Sequence, residues 1–238
     1  MKHTFILLLA VAVSTLTIID AHAAKVKTAQ AAVADSVVSE ADGGDIKPDK
    51  IVRLTEDDFR EVAEELGVEI AAIRAVVEIE AGKTHQGFSA PGIPIVNFDY
   101  SMFSRFARKR GINLAAYRKS HPAVFGSRGG QAGEYRQLQS AKTINRVAAI
   151  EGTFWGMFQI GGFNWKKCGV DSIEEFERLM SRSERDQLEL FAKFMISTGL
   201  VEHLRNKNWA AFARGYNGPS YASRGYHTRL ANAYSRNK

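Results

Sequence analysis

The sequence predicts one mainly α-helical domain with a single short extended segment, carried behind an N-terminal leader and a tether. Three observations lead there. Helix-start signals recur, with Thr55 three residues before Asp58 and Ser172 three residues before Glu175, each pairing a hydroxyl with an acid at the spacing of a capping box. Apolar residues between them return at helical intervals, as at Ile73, Val76 and Val77. Pro91 and Pro94 flank Gly92, so residues 91–99 cannot form a regular helix and read as extended chain.

Taken in order, Lys2 and His3 precede an apolar run from Phe5 to Val13, and the segment closes on Ala21-His22-Ala23. A charged start, a short apolar centre and a small-x-small end predict a secretory signal peptide over residues 1–23. Ser14, Thr15, Thr17 and Asp20 dilute the roughly 20 apolar residues that a membrane span needs, so no stable membrane insertion is expected after cleavage. Residues 24–50 are rich in Ala, Val and Asp and hold no aromatic residue, which predicts a flexible linker. The domain itself is expected over residues 51–238. Helices are predicted from Thr55 to Gly67, from Glu69 to Ala81 with a stop at Gly82, and then around 101–110, 134–150, 173–181, 184–198 and 208–215. A loop is expected from Gly126 to Gly133.

The 238 residues carry 32 Lys and Arg against 26 Asp and Glu, a formal charge of +6. The first 50 hold 5 Lys and 6 acids, so the positive excess belongs to the domain. Basic residues gather at Arg105, Arg108, Lys109, Arg110, Arg118 and Lys119, and again at Arg205, Lys207, Arg214, Arg224, Arg229 and Arg236. With an export signal and no nucleic-acid module signature, nucleic acid is set aside as a partner; an anionic extracellular polymer fits the charge better, beside the plainer reading of a solvated surface. The single Cys168 excludes an intramolecular disulfide and every Cys-rich metal site, and the scattered histidines give no ligand spacing. Neither metal nor cofactor is expected.

One carboxylate stands out as a candidate for chemistry. At 100° per residue Ile73, Val76, Val77 and Glu80 share about 100° of arc, which puts Glu80 at the end of an apolar stripe. Partial burial raises a carboxyl's pKa towards the range where it donates a proton near neutrality, although a glutamate in this place also serves as a cap or reaches out to solvent. Glu78 lies four residues from Arg74, the spacing of a surface ion pair.

The residues around Glu80 carry a resemblance. Ala75-Val76-Val77-Glu78-Ile79-Glu80-Ala81-Gly82, Pro94-Ile95-Val96-Asn97-Phe98-Asp99, Phe154-Trp155-Gly156-Met157-Phe158-Gln159-Ile160-Gly161 and Arg214-Gly215-Tyr216-Asn217-Gly218-Pro219 together resemble the N-acetylmuramidase domain of phage endolysins and bacterial cell-wall hydrolases. The likeness runs in consistent order over about residues 55–236, and its last two motifs are the specific ones. It implies a lysozyme-like single domain, mainly α with a short extended segment near the active site, that cleaves the β-1,4 bond between N-acetylmuramic acid and N-acetylglucosamine. By position Glu80 matches the general acid, Asp99 the second acid, and Tyr216 the tyrosine of the Tyr-Asn-Gly motif. Trp155, Gln159 and Asn217 are implied to line or hold the glycan groove. Hydrolysis of a glycosidic bond commonly uses one protonated and one ionised carboxyl, roles that Glu80 and Asp99 would divide.

This chain departs from the family at three places: Asp99 is one methylene shorter than the usual glutamate, Phe154 replaces a serine, and Tyr100-Ser101 replaces Arg-His. A lytic transglycosylase, which needs one carboxyl, and a glycan-binding envelope protein therefore stand beside the hydrolase. Under all of these readings the partner is peptidoglycan and the location exported, periplasmic or secreted. A protein partner is left open.

Overall fold

The structure, a computed structural model, describes residues 50–81, 86–126 and 129–238. The leader, the linker up to its last residue and Gly82 lie outside the described residues. Lys47–Lys238 form one compact unit, and among the described residues no helix is long and apolar enough to cross a membrane.

Helix α1 (Glu56–Leu66) starts on the expected capping box: Asp58 N donates to Thr55 Oγ1 at 3.3 Å and Thr55 N to Asp58 Oδ2 at 2.7 Å. Gly67, at φ 61°, ends it in the left-handed turn that a glycine adopts without strain. Helix α2 (Ile70–Glu80) buries Ala71, Ala72, Ile73, Ala75, Val76 and Val77. The chain then turns extended through β1 (Phe88–Ala90), β2 (Ile93–Pro94) and β3 (Val96–Phe98) before α3 (Tyr100–Lys109). A 3₁₀ turn over Leu114–Tyr117 and the short α4 (Pro122–Phe125) lead to the long α5 (Gly130–Glu151). Strands β4 (Thr153–Trp155) and β5 (Ile160–Gly161) form a hairpin, and β3 pairs antiparallel with β4, Val96 facing Trp155 and Phe98 facing Thr153. A second 3₁₀ turn (Gly162–Cys168) leads to α6 (Ile173–Met180), α7 (Glu184–Ser197), α8 (Val201–Arg205), α9 (Trp209–Asn217) and α10 (Tyr226–Asn237).

Most predicted helices appear within a residue or two, and the fold is mainly α with a small sheet. Four local readings are corrected. Helix α5 begins at Gly130, inside the expected loop, because Gln131 and Glu134 on its first turns have backbone partners to satisfy on β3. It is also kinked at Asn145 (φ −159°, ψ 110°), whose side chain accepts from Ala148 N at 2.9 Å and so caps a second helical stretch inside the first. The C-terminal helix α10 carried no start signal, entering from Gly225 at φ 64° with no capping side chain. Finally, Arg74 and Glu78 are not joined along their helix: Arg74 pairs with Glu56 of α1, and Glu78 with Arg236 of α10. Both pairs tie α2 to neighbouring helices, which reflects how closely it is flanked by them.

The core runs continuously from α2 through the sheet to α7, with Phe98, Phe103, Trp155, Phe158, Phe176, Phe191 and Phe212 fully enclosed. Three polar side chains of α7, Glu184, Asp186 and Gln187, are buried with it, and two of them bind irregular backbone. Gln187, fully enclosed, accepts from Met157 N at 2.9 Å and donates to Met180 O at 2.9 Å and Gly87 O at 3.2 Å. Glu184 accepts from Gly87 N at 2.9 Å, Leu54 N at 3.0 Å and the Arg53 guanidinium at 2.9 Å. Gln187→Leu strands several buried backbone groups and is expected to cost on the order of 3 kcal/mol or more, read as a lower urea midpoint at unchanged slope. A midpoint equal to the wild type's would show that those groups find other partners.

Candidate active site

Glu80 is the last residue of α2, where the apolar stripe delivers it to the edge of the core. Its side chain is partly exposed, but its carboxyl is sunk deeply enough that burial raises its pKa above the glutamate reference of 4.5. Two groups act against the rise: Asn217 Nδ2, which donates to Glu80 Oε1 at 2.8 Å, and the positive charge of Arg229 on α10. Arg229 is itself steadied over the Tyr226 ring, 5.3 Å from its centroid.

Asn217 closes α9, and the chain leaves it through Gly218 at φ 79°, a conformation that favours glycine. The Tyr-Asn-Gly order thus follows from a helix end that must turn sharply while aiming its last side chain at Glu80. The Asn217 Oδ1 is buried and accepts no hydrogen bond among the described residues. Such an acceptor beside a carboxyl is a place for a substrate hydroxyl or a water to donate.

Tyr216 sits one residue earlier. Its ring stacks on Phe212, 5.3 Å between centroids, and meets Phe191 and Phe194 edge-on. The ring is largely packed into the core, and its polar end, the hydroxyl, donates to Phe158 O at 2.5 Å. Burial, with the Glu80 charge added, holds this phenol well above its ordinary pKa, so it stays a proton donor. The bond to Phe158 fixes the β4–β5 turn, where Gln159 stands at φ 48° with its Nε2 donating to Gly156 O at 2.8 Å. A positive φ at a residue other than glycine costs about 1 kcal/mol or more and is held only where the surroundings enforce it; here the Tyr216 anchor supplies that enforcement.

Two residues expected at the site are engaged elsewhere in the structure as well. Trp155 is 1% exposed, donates its indole N–H to Ile150 O at 3.1 Å and packs edge-on against Phe176, so it is a core residue and offers no face to a glycan. Asp99 caps α3: its Oδ1 accepts from Ser101 N at 2.8 Å, Ser101 Oγ at 2.7 Å and Met102 N at 3.0 Å. The structure therefore joins Glu80 directly to Asn217, and Tyr216 to the turn that holds Gln159, while the Asp99 carboxylate belongs to the start of α3. Ser101 at one departure site strengthens the cap, and Phe154 at another lies in β4 with its ring edge-on to Phe163. Sequence reasoning missed Arg229 as a neighbour of Glu80, because it lies on the helix that gave no start signal. Cys168 is fully enclosed and burial pushes its thiol up to about 12, which leaves it no nucleophilic role.

The Glu80 shift is also a statement about stability. A carboxyl whose folded pKa is raised binds more protons folded than unfolded, so folding stability falls as pH rises from the ordinary glutamate value through the folded one, and levels off above it. Glu80→Gln removes this penalty. Its melting temperature is expected to exceed the wild type's most at neutral and higher pH, with the gap closing as pH drops below 4.5. A gap independent of pH would mean that the carboxyl titrates normally.

Comparison with known proteins shows the family. No curated protein matches the chain. The crystal structure of the Burkholderia AP3 phage endolysin is similar to it, at 37% sequence identity and a TM-score of 0.66, over 78% of this chain and 70% of that one. The N-acetylmuramidase family matches residues 69–238, from the start of α2 to the C-terminus, a span that takes in Glu80, the small sheet and the Tyr216-Asn217 helix end. The chain belongs to the N-acetylmuramidase family and is a glycoside hydrolase of the muramidase type.

Proposed function

We propose that the protein is exported and cleaves the β-1,4 bond between N-acetylmuramic acid and N-acetylglucosamine in peptidoglycan, with Glu80 as general acid. The observation that carries this reading is the buried carboxyl of Glu80 held by Asn217 Nδ2. Because Oε1 accepts that bond, Oε2 is left to carry the proton of the neutral acid. The raised pKa keeps it protonated closer to neutral pH than an exposed glutamate would be. As the bond breaks, the proton passes from Oε2 to the glycosidic oxygen, and the carboxylate left behind is stabilised by Asn217 and Arg229. Asn217 Oδ1 accepts from a sugar hydroxyl or from the incoming water, and Tyr216, through the Phe158 carbonyl, keeps the Gln159 turn in place against the strand. The export proposal rests on the signal-like segment over residues 1–23. Mass spectrometry of fragments released from purified peptidoglycan tests the bond: reducing N-acetylmuramic acid ends that disappear in Glu80→Gln are expected. Release by Glu80→Gln at the wild-type rate would end the assignment.

A second reading is favoured by the state of Asp99. Its Oδ1 is engaged by three donors at the start of α3, which suits an enzyme that uses one carboxyl, a lytic transglycosylase closing a 1,6-anhydro ring without water. Asp99→Ala confuses the question, because losing the cap costs about 0.5–2 kcal/mol of stability by itself. Asp99→Asn keeps a capping oxygen and removes only the charge. If Asp99 stabilises the positive transition state, Asp99→Asn is expected to lose at least about a hundredfold in kcat while melting near the wild-type temperature. Retained kcat together with anhydro ends in the fragments would instead assign transglycosylation.

A further inference from the structure

From Tyr100 to Gly133 the sequence holds 7 Lys and Arg and no Asp or Glu. Its described residues, 100–126 and 129–133, make a lobe of one charge sign. Its centre is a recess of about 490 Å³ between α3, the Leu114–Tyr117 turn and α4. Helix α3 buries Phe103, Phe106 and Ala107 on its inner side, and Tyr100, Ser104 and Arg108, four residues apart along its outer side, line the recess. Arg118 and Phe125 line it as well, the Arg118 guanidinium lying 4.9 Å over the Phe125 ring, whose edge meets Tyr100 at 5.6 Å.

The charges in this recess are not used up by the protein. Arg110 pairs with Glu151 at 2.9 Å, outside the recess. Arg108 and Arg118 have no carboxylate within ion-pair distance among the described residues. Stacking on Phe125 holds the Arg118 fork in one plane, which is the preparation that two-point recognition of a carboxylate needs. Apolar walls next to the cations suit a short chain with aliphatic parts and a charged end better than a bare polyanion, which would follow a surface stripe. The recess also begins at Tyr100, the residue after Asp99, so it sits at the start of the helix whose cap the second acid provides.

We propose that this recess takes a carboxylate of the peptide borne by the glycan strand, so that the protein favours peptide-substituted over bare peptidoglycan; this rests on the peptidoglycan reading above. The probes are purified sacculi in three forms: untreated, stripped of phosphate-bearing polymers, and with their peptide carboxylates converted to amides. Cosedimentation of the full chain as Glu80→Gln, which prevents digestion, is expected to be equal on the first two and about tenfold weaker on the third, the scale of one charge-assisted pair. Adding Arg108→Gln, which removes no ring contact, or Arg118→Gln is expected to weaken binding to untreated sacculi by a similar factor and to leave binding to amidated sacculi unchanged. Equal binding to amidated and untreated sacculi overturns the proposal, as does wild-type binding by both arginine variants. Loss on phosphate stripping alone assigns the recess to a phosphate polymer and overturns it too. Sacculi dissolved by Glu80→Gln would count against the catalytic assignment instead, while the arginine comparison still reads the recess.

Discussion

Everything around Glu80 depends on one face of α7, where Glu184 and Gln187 point inward beside the apolar residues that the helix buries. Between them they hold Gly87 by both its N–H and its carbonyl, Met157 at the tip of the β4–β5 turn, Met180 at the end of α6 and Leu54 ahead of α1. These are irregular stretches with backbone groups that no helix or strand satisfies. Burying them is possible only because a side-chain amide and a carboxylate take the place of a ladder. No room is left for anything else: a Cβ built on Gly156 would come within 2.6 Å of the Gln187 amide, and one on Gly87 within 2.3 Å. The position of the extended segment, and hence of every group that faces α2, follows from that fit.

The parts of the fold that the sequence made legible are those with a local cause. Capping pairs such as Thr55 with Asp58, and Ser172 with Glu175, announce helices because the hydrogen bonds that start them lie within four residues. Helix α10 has no such signal, since only Leu230 and Ala233 are buried within it, and it is formed by lying against α2. The same division holds at the site. Glu80 could be found from a stripe on its own helix, and Tyr216 and Asn217 from a family motif. Trp155 was misplaced because an aromatic side chain looks alike in sequence whether it lines a groove or fills a core. The capping engagement of Asp99 was hidden behind a different role, although Asp99 and Ser101 are spaced as a cap and its partner.

Charge is divided unevenly over the molecule, and the division matches the chemistry. At the Glu80 end, acids and bases are balanced by pairs that reach between helices, such as Glu78 with Arg236 and Glu69 with Lys207. The Glu80 carboxyl lies among them, its protonation set, among the described residues, by burial against one amide and one guanidinium. At the α3 end the cations have few acids near them, so the field is positive and long in reach. A carboxyl whose pKa is raised by burial and a positive recess along α3 suit a polymer that is uncharged along its backbone and anionic on its branches.

Strand β3 is the edge of its sheet, and an edge strand normally presents open N–H and C=O groups to any extended chain that passes. Here Gln131 takes both the N–H and the carbonyl of Val96, at 2.9 and 3.0 Å, and Glu134 takes the N–H of Phe98 at 2.8 Å. Two side chains of a helix act as the missing neighbour strand. The consequence reaches past the site to solution behaviour: the β3 edge is closed to edge-to-edge pairing with a second copy, so this side of the sheet gives aggregation no template.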